Sequence, residues 1–164
     1  MKIRRLTPEY YPKVAALLQQ AFPRSKYEVQ LFETLHAKGR VLQEWVCLHR
    51  DTVTAYIAFS KAYDGTTECG LHLAPLAVKP QMQNQGIGSE LLRFALRQED
   101  IKDRPIFALG SPKFFQKFGF ERCTLPVCPF DTNNAQFLSL RNAADRQFTV
   151  RYEPEFKAKV KQNR

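Results

Sequence analysis

The sequence lacks any long hydrophobic run. None of its apolar segments approaches the roughly 18 to 20 residues that a membrane-spanning helix needs. The first residues, MKIRRLTPEYYPK, also lack the apolar middle of a secretory signal. We therefore expect a cytoplasmic protein without a membrane partner.

Cysteine is scarce and irregularly spaced. Cys47, Cys69, Cys123 and Cys128 form no regular framework, and two of them lie in strand-like apolar sequence. This pattern favours reduced core thiols over disulfides. Cys123 and Cys128 have no second Cys or His pair beside them, so the sequence predicts no metal site.

Internal repeats, low-complexity segments and Gly/Ser-rich linkers are absent too. A length of 164 residues is typical of one domain. The sequence therefore predicts a single domain over residues 1–164. Its end, from about residue 157 to residue 164, is a short basic tail, and such tails are more often solvated chain ends than nucleic-acid arms.

Basic residues outnumber acidic ones, 25 to 16, and the formal net charge is +9. This balance indicates either an anionic partner or simply a basic surface. The interleaved aromatic and basic residues of single-strand binders are missing, as is any helix-turn-helix or zinc-finger spacing. Nucleic-acid binding is therefore disfavoured, although charge alone keeps an RNA-associated or ribosome-associated factor open as an alternative.

Hydrophobic periodicity predicts a mixture of helices and strands. Residues 2–6 form a short first strand, and apolar residues at helical spacing predict two helices after it. Ser25 and Glu28 have the spacing of a capping box for the second helix. Between residues 41 and 63 the period changes to two, which predicts an antiparallel hairpin.

A third strand-like run, CGLHLAPLAV at residues 69–78, contains Pro75. Proline cannot donate a hydrogen bond to a neighbouring strand, so Pro75 indicates an edge, a bulge or a point where two strands separate. A strand that separates from its neighbour leaves free main-chain groups. Short apolar runs later in the chain, such as PIFAL, FLSL and FTVRY, predict further strands.

Two glycines stand where the third run passes into a helix, in VKPQMQNQGIGSELL at residues 78–92. The first N–H groups of a helix have no partner within it, and the helix dipole places partial positive charge there. Gly86 and Gly88 would let this main chain approach a phosphate closely. By itself, a glycine pair at a helix start is more often a plain turn.

Two familiar phosphate loops are excluded. The loop of nucleoside triphosphatases ends in Gly-Lys-Ser/Thr, whereas Ser89 and Glu90 follow Gly88 here. The dinucleotide fingerprint needs three glycines after the first strand of a βαβ unit, and that pattern is missing. A different phosphate ligand must be considered.

Two motifs resemble those of a known superfamily. The hexapeptide QNQGIG (residues 83–88) matches the Q/R-x-x-G-x-G/A signature of the Gcn5-related N-acetyltransferases (GNAT), and ALGSPKFFQKFGFE (residues 108–121) resembles their second signature. With the preceding APLAV, these motifs look most like the bacterial subgroup of YhbS-like predicted N-acetyltransferases.

The resemblance implies an α/β (α+β) fold of the GNAT type. Its twisted, mostly antiparallel sheet would have about six to seven strands and about four flanking helices, with strands splayed at the cofactor site. The implied cofactor is acetyl-coenzyme A (acetyl-CoA), with coenzyme A (CoA) as product. The loop amides would bind the pyrophosphate and the preceding strand the pantetheine arm. The implied cofactor-binding residues are Leu76, Ala77, Val78, Gln83, Asn84, Gln85, Gly86, Ile87, Gly88, Ser89, Ser111 and Phe115.

Acetyl transfer to an amine needs an unprotonated amine, a polarised carbonyl and a proton for the departing thiolate. His72 lies where protein-acetylating members of the family carry a glutamate base, so it is the candidate general base, although a histidine that only fills a strand surface fits equally well. Glu68 is a weaker candidate, and a water relay is also open. Phe115 stands where many members have a proton-donating tyrosine, and phenylalanine has no proton to give. His36 and His49 have no motif support and are expected at the surface.

The predicted function is transfer of an acetyl group from acetyl-CoA to an amine by direct attack in a ternary complex. Phe115 keeps a non-catalytic acyl-CoA sensor open as an alternative. The acceptor, a small molecule or a protein, is not identified by the sequence. Glu28 and Glu33 can attract a cationic amine, although Glu28 also has the predicted capping role. The sequence does not fix the oligomeric state, and a homodimer is compatible with it.

Overall fold

The computed structural model describes residues 1–130 and 135–157, so most of the predicted basic tail, residues 158–164, lies outside the described part. Eight strands and four α-helices occur within these ranges. In chain order they are β1 (Lys2–Arg5), α1 (Tyr11–Ala21), α2 (Tyr27–Ala37), β2 (Gln43–His49), β3 (Thr52–Asp64), β4 (Thr67–Val78), α3 (Ile87–Leu96), β5 (Ile106–Leu109), α4 (Pro112–Gln116), β6 (Glu121–Arg122), β7 (Phe137–Leu140) and β8 (Arg151–Tyr152).

All eight strands join one sheet in the order β1-β2-β3-β4-β5-β7-β6, and β8 pairs with β3. Among the named strands of the described residues, only β4 and β5 pair in parallel. The predicted fold class, a mostly antiparallel sheet flanked by helices, is confirmed. The two-residue strands β6 and β8 bring the strand number to eight. None of the helices in the described ranges is long and apolar enough to cross a membrane.

Strands β4 and β5 separate at the position that Pro75 indicates. They pair only through residues 71–73 of β4 and 106–108 of β5, whereas β4 stays paired with β3 as far as Val78. Both parallel strands therefore run side by side for three residue pairs and then diverge. The sequence prediction of a separation at this proline is correct.

The same place in β4 carries a bulge. The register with β3 passes from the pair Phe59 and Leu73 to the pair Ile57 and Leu76. Ala74 and Pro75 therefore lie opposite one residue of β3, which is the two-against-one arrangement of a β-bulge. The bulge therefore shifts the alternation of faces along β4 by one residue, so that Leu73 and Leu76 lie on the same face.

Helices cover both faces of the sheet. The amphipathic helix α3 packs on one face, with Leu91, Leu92 and Ala95 fully buried against the strands. Helices α1 and α2 pack on the other face, where the residues that follow β8 also lie. Because of the bulge, Leu71 and Leu73 face α3 together with Leu76 and Val78, whereas His72 and Ala77 face the α1 and α2 side.

The start of α2 differs from the prediction. Ser25 accepts a hydrogen bond from the N–H of Tyr27 (3.1 Å) with its hydroxyl, and its own N–H donates to the carbonyl of Phe22 (3.1 Å). Both groups that a capping box would use are therefore engaged elsewhere. Glu28 instead turns inward and is only 5% exposed. The predicted capping box is wrong.

His36, expected at the surface, belongs to a buried polar cluster between α2 and the sheet. Its Nδ1 lies 2.6 Å from the carbonyl oxygen of Phe32, and its Nε2 lies 2.9 Å from the carboxylate of Glu44. Both partners only accept, so the doubly protonated imidazolium is the form that satisfies them. Tyr56 donates to the same carboxylate (2.6 Å). Burial lowers the pKa of His36, but the hydrogen bonds to Glu44 and Phe32 outweigh it, and the pKa ends above its usual 6.5.

We expect the free energy of unfolding to fall as pH rises through the pKa of His36. This pKa is higher in the folded chain, so the folded state holds the proton longer and its contribution is complete only below the unfolded value of 6.5. Urea unfolding at about pH 6 and about pH 8, below the range in which the thiols of the unfolded chain ionise, measures the decline. His36→Gln should remove the decline and His49→Gln should keep it; equal declines in all three proteins would contradict the prediction.

Candidate active site

The glycine loop after β4 has the backbone of an anion site. Gly86 adopts a left-handed φ of 83° immediately before α3, and Asn84 has a φ of 62°. The first helical hydrogen bond runs from the N–H of Glu90 to the carbonyl of Gly86 (3.0 Å). The N–H groups of residues 86–89 therefore have no acceptor within the helix and lie at the positive end of its dipole.

The loop is fixed closely to the end of β4. Gln83 donates a hydrogen bond from Nε2 to the carbonyl oxygen of Val78 (3.1 Å). A Cβ atom added to Gly88 would lie 3.3 Å from Cγ2 of Val78, so the first turn of α3 packs tightly on the strand. At Gly86 an added Cβ would meet nothing within 4 Å, which leaves the space beside this residue open.

A cavity of about 530 Å³, the first cavity, lies between the end of β4, the glycine loop and α4. Eight of the twelve predicted cofactor residues line it, together with three residues that sequence reasoning missed. The lining residues are Leu76, Val78, Met82, Gln83, Asn84, Gly86, Ile87, Gly88, Ser89, Phe114 and Lys117.

A cavity of about 450 Å³, the second cavity, lies on the other side of the bulge. It is bounded by α2, β4, the end of β5 and the residues after β8. It is lined by Phe22, Tyr27, Glu28, Leu31, His72, Leu73, Ala74, Pro75, Leu109, Phe130, Phe156 and Lys157. The first cavity begins at Leu76, so one strand contributes consecutive residues to both cavities.

His72 forms part of the wall of the second cavity. Its ring stacks on Tyr152 with a centroid distance of 3.5 Å and an angle of 3°, and it meets Phe156 at 4.5 Å. Within the described residues, Nδ1 is buried and has no hydrogen-bond partner. Burial lowers the pKa of His72 to about 3, so the imidazole is neutral at physiological pH.

Comparison with known proteins decides the family. The family model "Acetyltransferase (GNAT) domain" matches residues 42–122, which run from β2 to β6. The structure also superimposes on YhbS, a GNAT family N-acetyltransferase from Escherichia coli solved in complex with CoA, with a TM-score of 0.85 and 25% identity over 94% of this chain and 90% of that one. The chain belongs to the GNAT superfamily.

A second solved structure supports the assignment. A GNAT family acetyltransferase from Brucella melitensis, in complex with acetyl-CoA, has a TM-score of 0.79 and 26% identity over 95% of this chain and 97% of that one. An aminoglycoside 6'-N-acetyltransferase complexed with CoA shares the fold, with a TM-score of 0.59 and 15% identity over 85% of this chain and 93% of that one. No curated protein sequence matches the chain. Membership of the GNAT superfamily places the chain among the acetyltransferases, and within it the chain is YhbS-like.

Four of the predicted cofactor residues of this GNAT chain lie away from the cavity lining. Ala77 is buried in the core on the α1 side, and Gln85 donates from Nε2 to the carbonyl of Gln81 (3.4 Å). Ser111 caps α4, because its hydroxyl accepts from the N–H of Phe114 (3.4 Å).

Phe115 is buried, and its neighbour Phe114 lines the first cavity instead. The Phe115 ring packs on the main chain just after β5, where its Cε2 would lie 2.9 Å from a Cβ added to Gly110. Any side chain in place of Gly110 would therefore force this ring to shift. Phe115 has no hydroxyl to offer the site, and the residues from this part of the chain that line the cavity are Phe114 of α4 and Lys117, which directly follows α4.

Glu68 lies at the beginning of β4 and lines neither cavity. It forms ion pairs with Lys61 and Arg104, each at 3.0 Å. The hydrogen bond from Lys61 is the main reason why the pKa of Glu68 is lowered. The structure therefore brings His72 and Glu28 together around one cavity and keeps Glu68 apart.

Glu28, for which the sequence left both a capping role and attraction of a cationic amine open, lies at the second cavity. The side chain is 5% exposed and lines the second cavity. A signal for its orientation was present, since Glu28, Leu31 and Leu35 are spaced three and four residues apart and share one face of a helix. The helix presents that face to the core.

Proposed function

We propose that this GNAT chain transfers the acetyl group of acetyl-CoA to an amine by direct attack in a ternary complex, as a single domain. The observation that carries the proposal is a pair of cavities lined by neighbouring residues of β4, the second as far as Pro75 and the first from Leu76 onward. The first would hold the cofactor, as the bound CoA and acetyl-CoA of two relatives suggest. The second would hold the amine.

The residues of the first cavity fit a pyrophosphate. Residues 86–89 offer N–H groups at a helix N-terminus, and Gly86 leaves the adjoining space open. Lys117 adds a positive charge at the opposite wall. Beyond residue 73, β4 has no pairing with β5, so its main-chain groups can bind an extended arm. Bound acetyl-CoA would supply the thioester carbonyl that the amine attacks and the thiolate that leaves.

We propose that His72 accepts the proton of the attacking amine. Because Nδ1 is buried, Nε2 is the nitrogen that can face the second cavity. The low pKa keeps the ring neutral and able to accept a proton, but it also makes His72 a weak base. Transfer to Nε2 therefore becomes favourable only after the amine nitrogen has bonded to the carbonyl carbon and has become a much stronger acid.

The departing thiolate needs no tyrosine in this proposal. A thiol has a pKa of about 8.5, so a thiolate is a tolerable leaving group near neutral pH and can take its proton from water. Phe115 accordingly has a packing role beside Gly110. The presence of a second cavity with His72 in its wall favours an enzyme over a sensor that only binds acyl-CoA.

Lys117→Glu is expected to raise the Kd for CoA about tenfold, because a cation facing the phosphates is replaced by an anion. Lys113→Glu is the matched control, since Lys113 lies in α4 four residues before Lys117, is exposed and does not line the cavity. Calorimetric titration with CoA at low and high salt should show that the difference between the two variants shrinks as salt rises. Equal affinities of both variants at low salt would contradict this role of Lys117.

Calorimetric titration with acetyl-CoA, followed by release of free thiol in the presence of a panel of amines, tests the proposed function. We expect binding and amine-dependent thiol release. Binding without release for any amine would indicate the sensor. Absence of binding would refute the assignment of the first cavity.

A further inference from the structure

We propose that this GNAT chain also accepts acyl-CoA donors longer than acetyl-CoA, such as propionyl-CoA and butyryl-CoA, and that Leu109 forms one wall of the site for the acyl chain. The inference rests on the proposed function, because it takes the first cavity as the cofactor site and places the thioester where β4 and β5 separate. It adds a class of donor that membership of the superfamily does not determine for this chain.

The point at which β4 and β5 separate lies between the two cavities. Pairing of these strands ends at Leu73 and Ala108, and the next residues of both strands, Ala74 and Leu109, line the second cavity. A cofactor arm that starts at the glycine loop and follows β4 passes the part of the strand that lines the first cavity, which begins at Leu76. The acyl group at the end of this arm is therefore directed toward Ala74 and Leu109.

The side chain of Leu109 lies on the face of the sheet that bounds the second cavity. Phe107, two residues earlier in β5, packs in the core beside α2, and side chains of a strand share a face at every second residue. Leu109 is 45% exposed, whereas the other three residues of β5 are buried. Single exposed leucines are common at protein surfaces, but Leu109 lines a cavity together with other apolar side chains. It therefore offers an apolar contact to a ligand.

The second cavity has the lining and the size that an acyl chain needs. Of the twelve described residues that line it, eight are apolar. Its charged residues, Glu28 and Lys157, come from α2 and from the segment after β8, and not from the strands that separate. The volume of about 450 Å³ lies within the range of roughly 300 to 1,000 Å³ that is usual for small-molecule sites, so the cavity has room for an acyl chain beside an amine.

The chemical step is the same for every chain length. The amine nitrogen bonds to the acyl carbonyl carbon, the C–S bond breaks, the amine proton passes to His72, and the thiolate takes a proton from water. His72 pairs with Phe107, two residues before Leu109. An amine at His72 and an acyl chain at Leu109 would therefore lie side by side in the second cavity.

The Kd for acyl-CoA should fall as the acyl chain becomes longer. Full burial of one CH₂ group raises affinity about fourfold. Because Leu109 is partly exposed, we expect about threefold for each CH₂ group, and thus about tenfold between acetyl-CoA and butyryl-CoA. Calorimetric titration of the full chain with acetyl-CoA, propionyl-CoA and butyryl-CoA measures this series.

Leu109→Asn tests the wall, because it keeps the approximate size of the side chain and makes it polar. In this variant the advantage of butyryl-CoA over acetyl-CoA should fall from about tenfold to about threefold. Val41→Asn is the control, since Val41 is also exposed and lines neither cavity, and it should keep the full advantage. Non-specific attachment of longer acyl chains to the surface would give the same advantage in all three proteins and would overturn the inference.

Thiol release with a panel of amines tests whether the longer donor reacts. We expect a kcat/KM for butyryl-CoA at least as high as that for acetyl-CoA in the wild-type chain, and a lower ratio of the two in Leu109→Asn. If butyryl-CoA binds no more tightly than acetyl-CoA, or releases no thiol, the inference is wrong, while release from acetyl-CoA leaves the acetyltransferase proposal standing. Absence of release from both donors with every amine would overturn both proposals.

Discussion

Gly86→Glu is expected to weaken CoA binding about 100-fold, equivalent to about 3 kcal/mol. The new side chain would start from an open position beside the first cavity, where a Cβ meets nothing within 4 Å. Its carboxylate would then lie beside the N–H groups of residues 86–89 and compete with the pyrophosphate for the positive end of α3. Loss of space and repulsion between like charges therefore act in the same direction.

Backbone strain must be separated from this effect, because Gly86 has a φ of +83° and any side chain there is strained. Gly39→Glu is the matched control. Gly39 has a φ of +67°, an added Cβ there also meets nothing within 4 Å, and it lines neither cavity. Both variants should lose stability by about 1 to 2 kcal/mol, but only Gly86→Glu should lose CoA binding. A folded Gly86→Glu protein with wild-type affinity would refute the assignment of the glycine loop.

His72→Phe is expected to lower kcat about 100-fold while changing the Kd for acetyl-CoA by less than about twofold. A phenyl ring can keep the stacking on Tyr152 and the contact with Phe156, so the wall of the second cavity should survive. What the variant loses is the nitrogen lone pair that would accept the amine proton. His49→Phe, at the exposed end of β2, should retain full turnover. Undiminished turnover in His72→Phe would exclude a proton-accepting role for His72.

The pH profile provides a second readout for His72. Because burial lowers its pKa to about 3, protonation of His72 should cause no loss of activity between about pH 9 and pH 5. Over that range kcat/KM should follow only the neutral fraction of the amine, with a tenfold rise for each pH unit below the amine pKa. An inflection near pH 6.5 that disappears in His72→Phe would mean that the ring titrates as an exposed imidazole does.

Features that depend on local backbone chemistry could be predicted from the sequence. Proline lacks an N–H, so Pro75 marked the point where β4 leaves β5. Glycine tolerates a positive φ, so Gly86 marked the junction at which α3 begins. Both features follow from the residue itself, whatever surrounds it.

Features that depend on distant partners could not be predicted. Glu28 has the spacing of a capping residue. Only the packing of α2 on the sheet buries its side chain at the wall of the second cavity. His36 looks like a surface residue until Glu44 of β2 is brought beside it. In α4, the resemblance directed attention to Phe115, but the orientation of the short helix brings Phe114 and Lys117 to the first cavity.

The bulge in β4 has a consequence for how relatives of this chain can vary. Side chains alternate between the two faces of a strand, so one extra residue reverses the alternation beyond it. Deleting either Ala74 or Pro75 would leave one residue opposite Ala58, so Leu73 would still pair with Phe59 and Leu76 with Ile57. The residues on both sides of the deletion would keep their faces, and His72 would stay on the α1 and α2 side. What such a deletion removes is the bulge itself, and with it the bend in β4 that a bulge produces. A relative that lacks the extra residue can therefore keep a histidine in the position of His72 and differ only in the course of β4 beyond it.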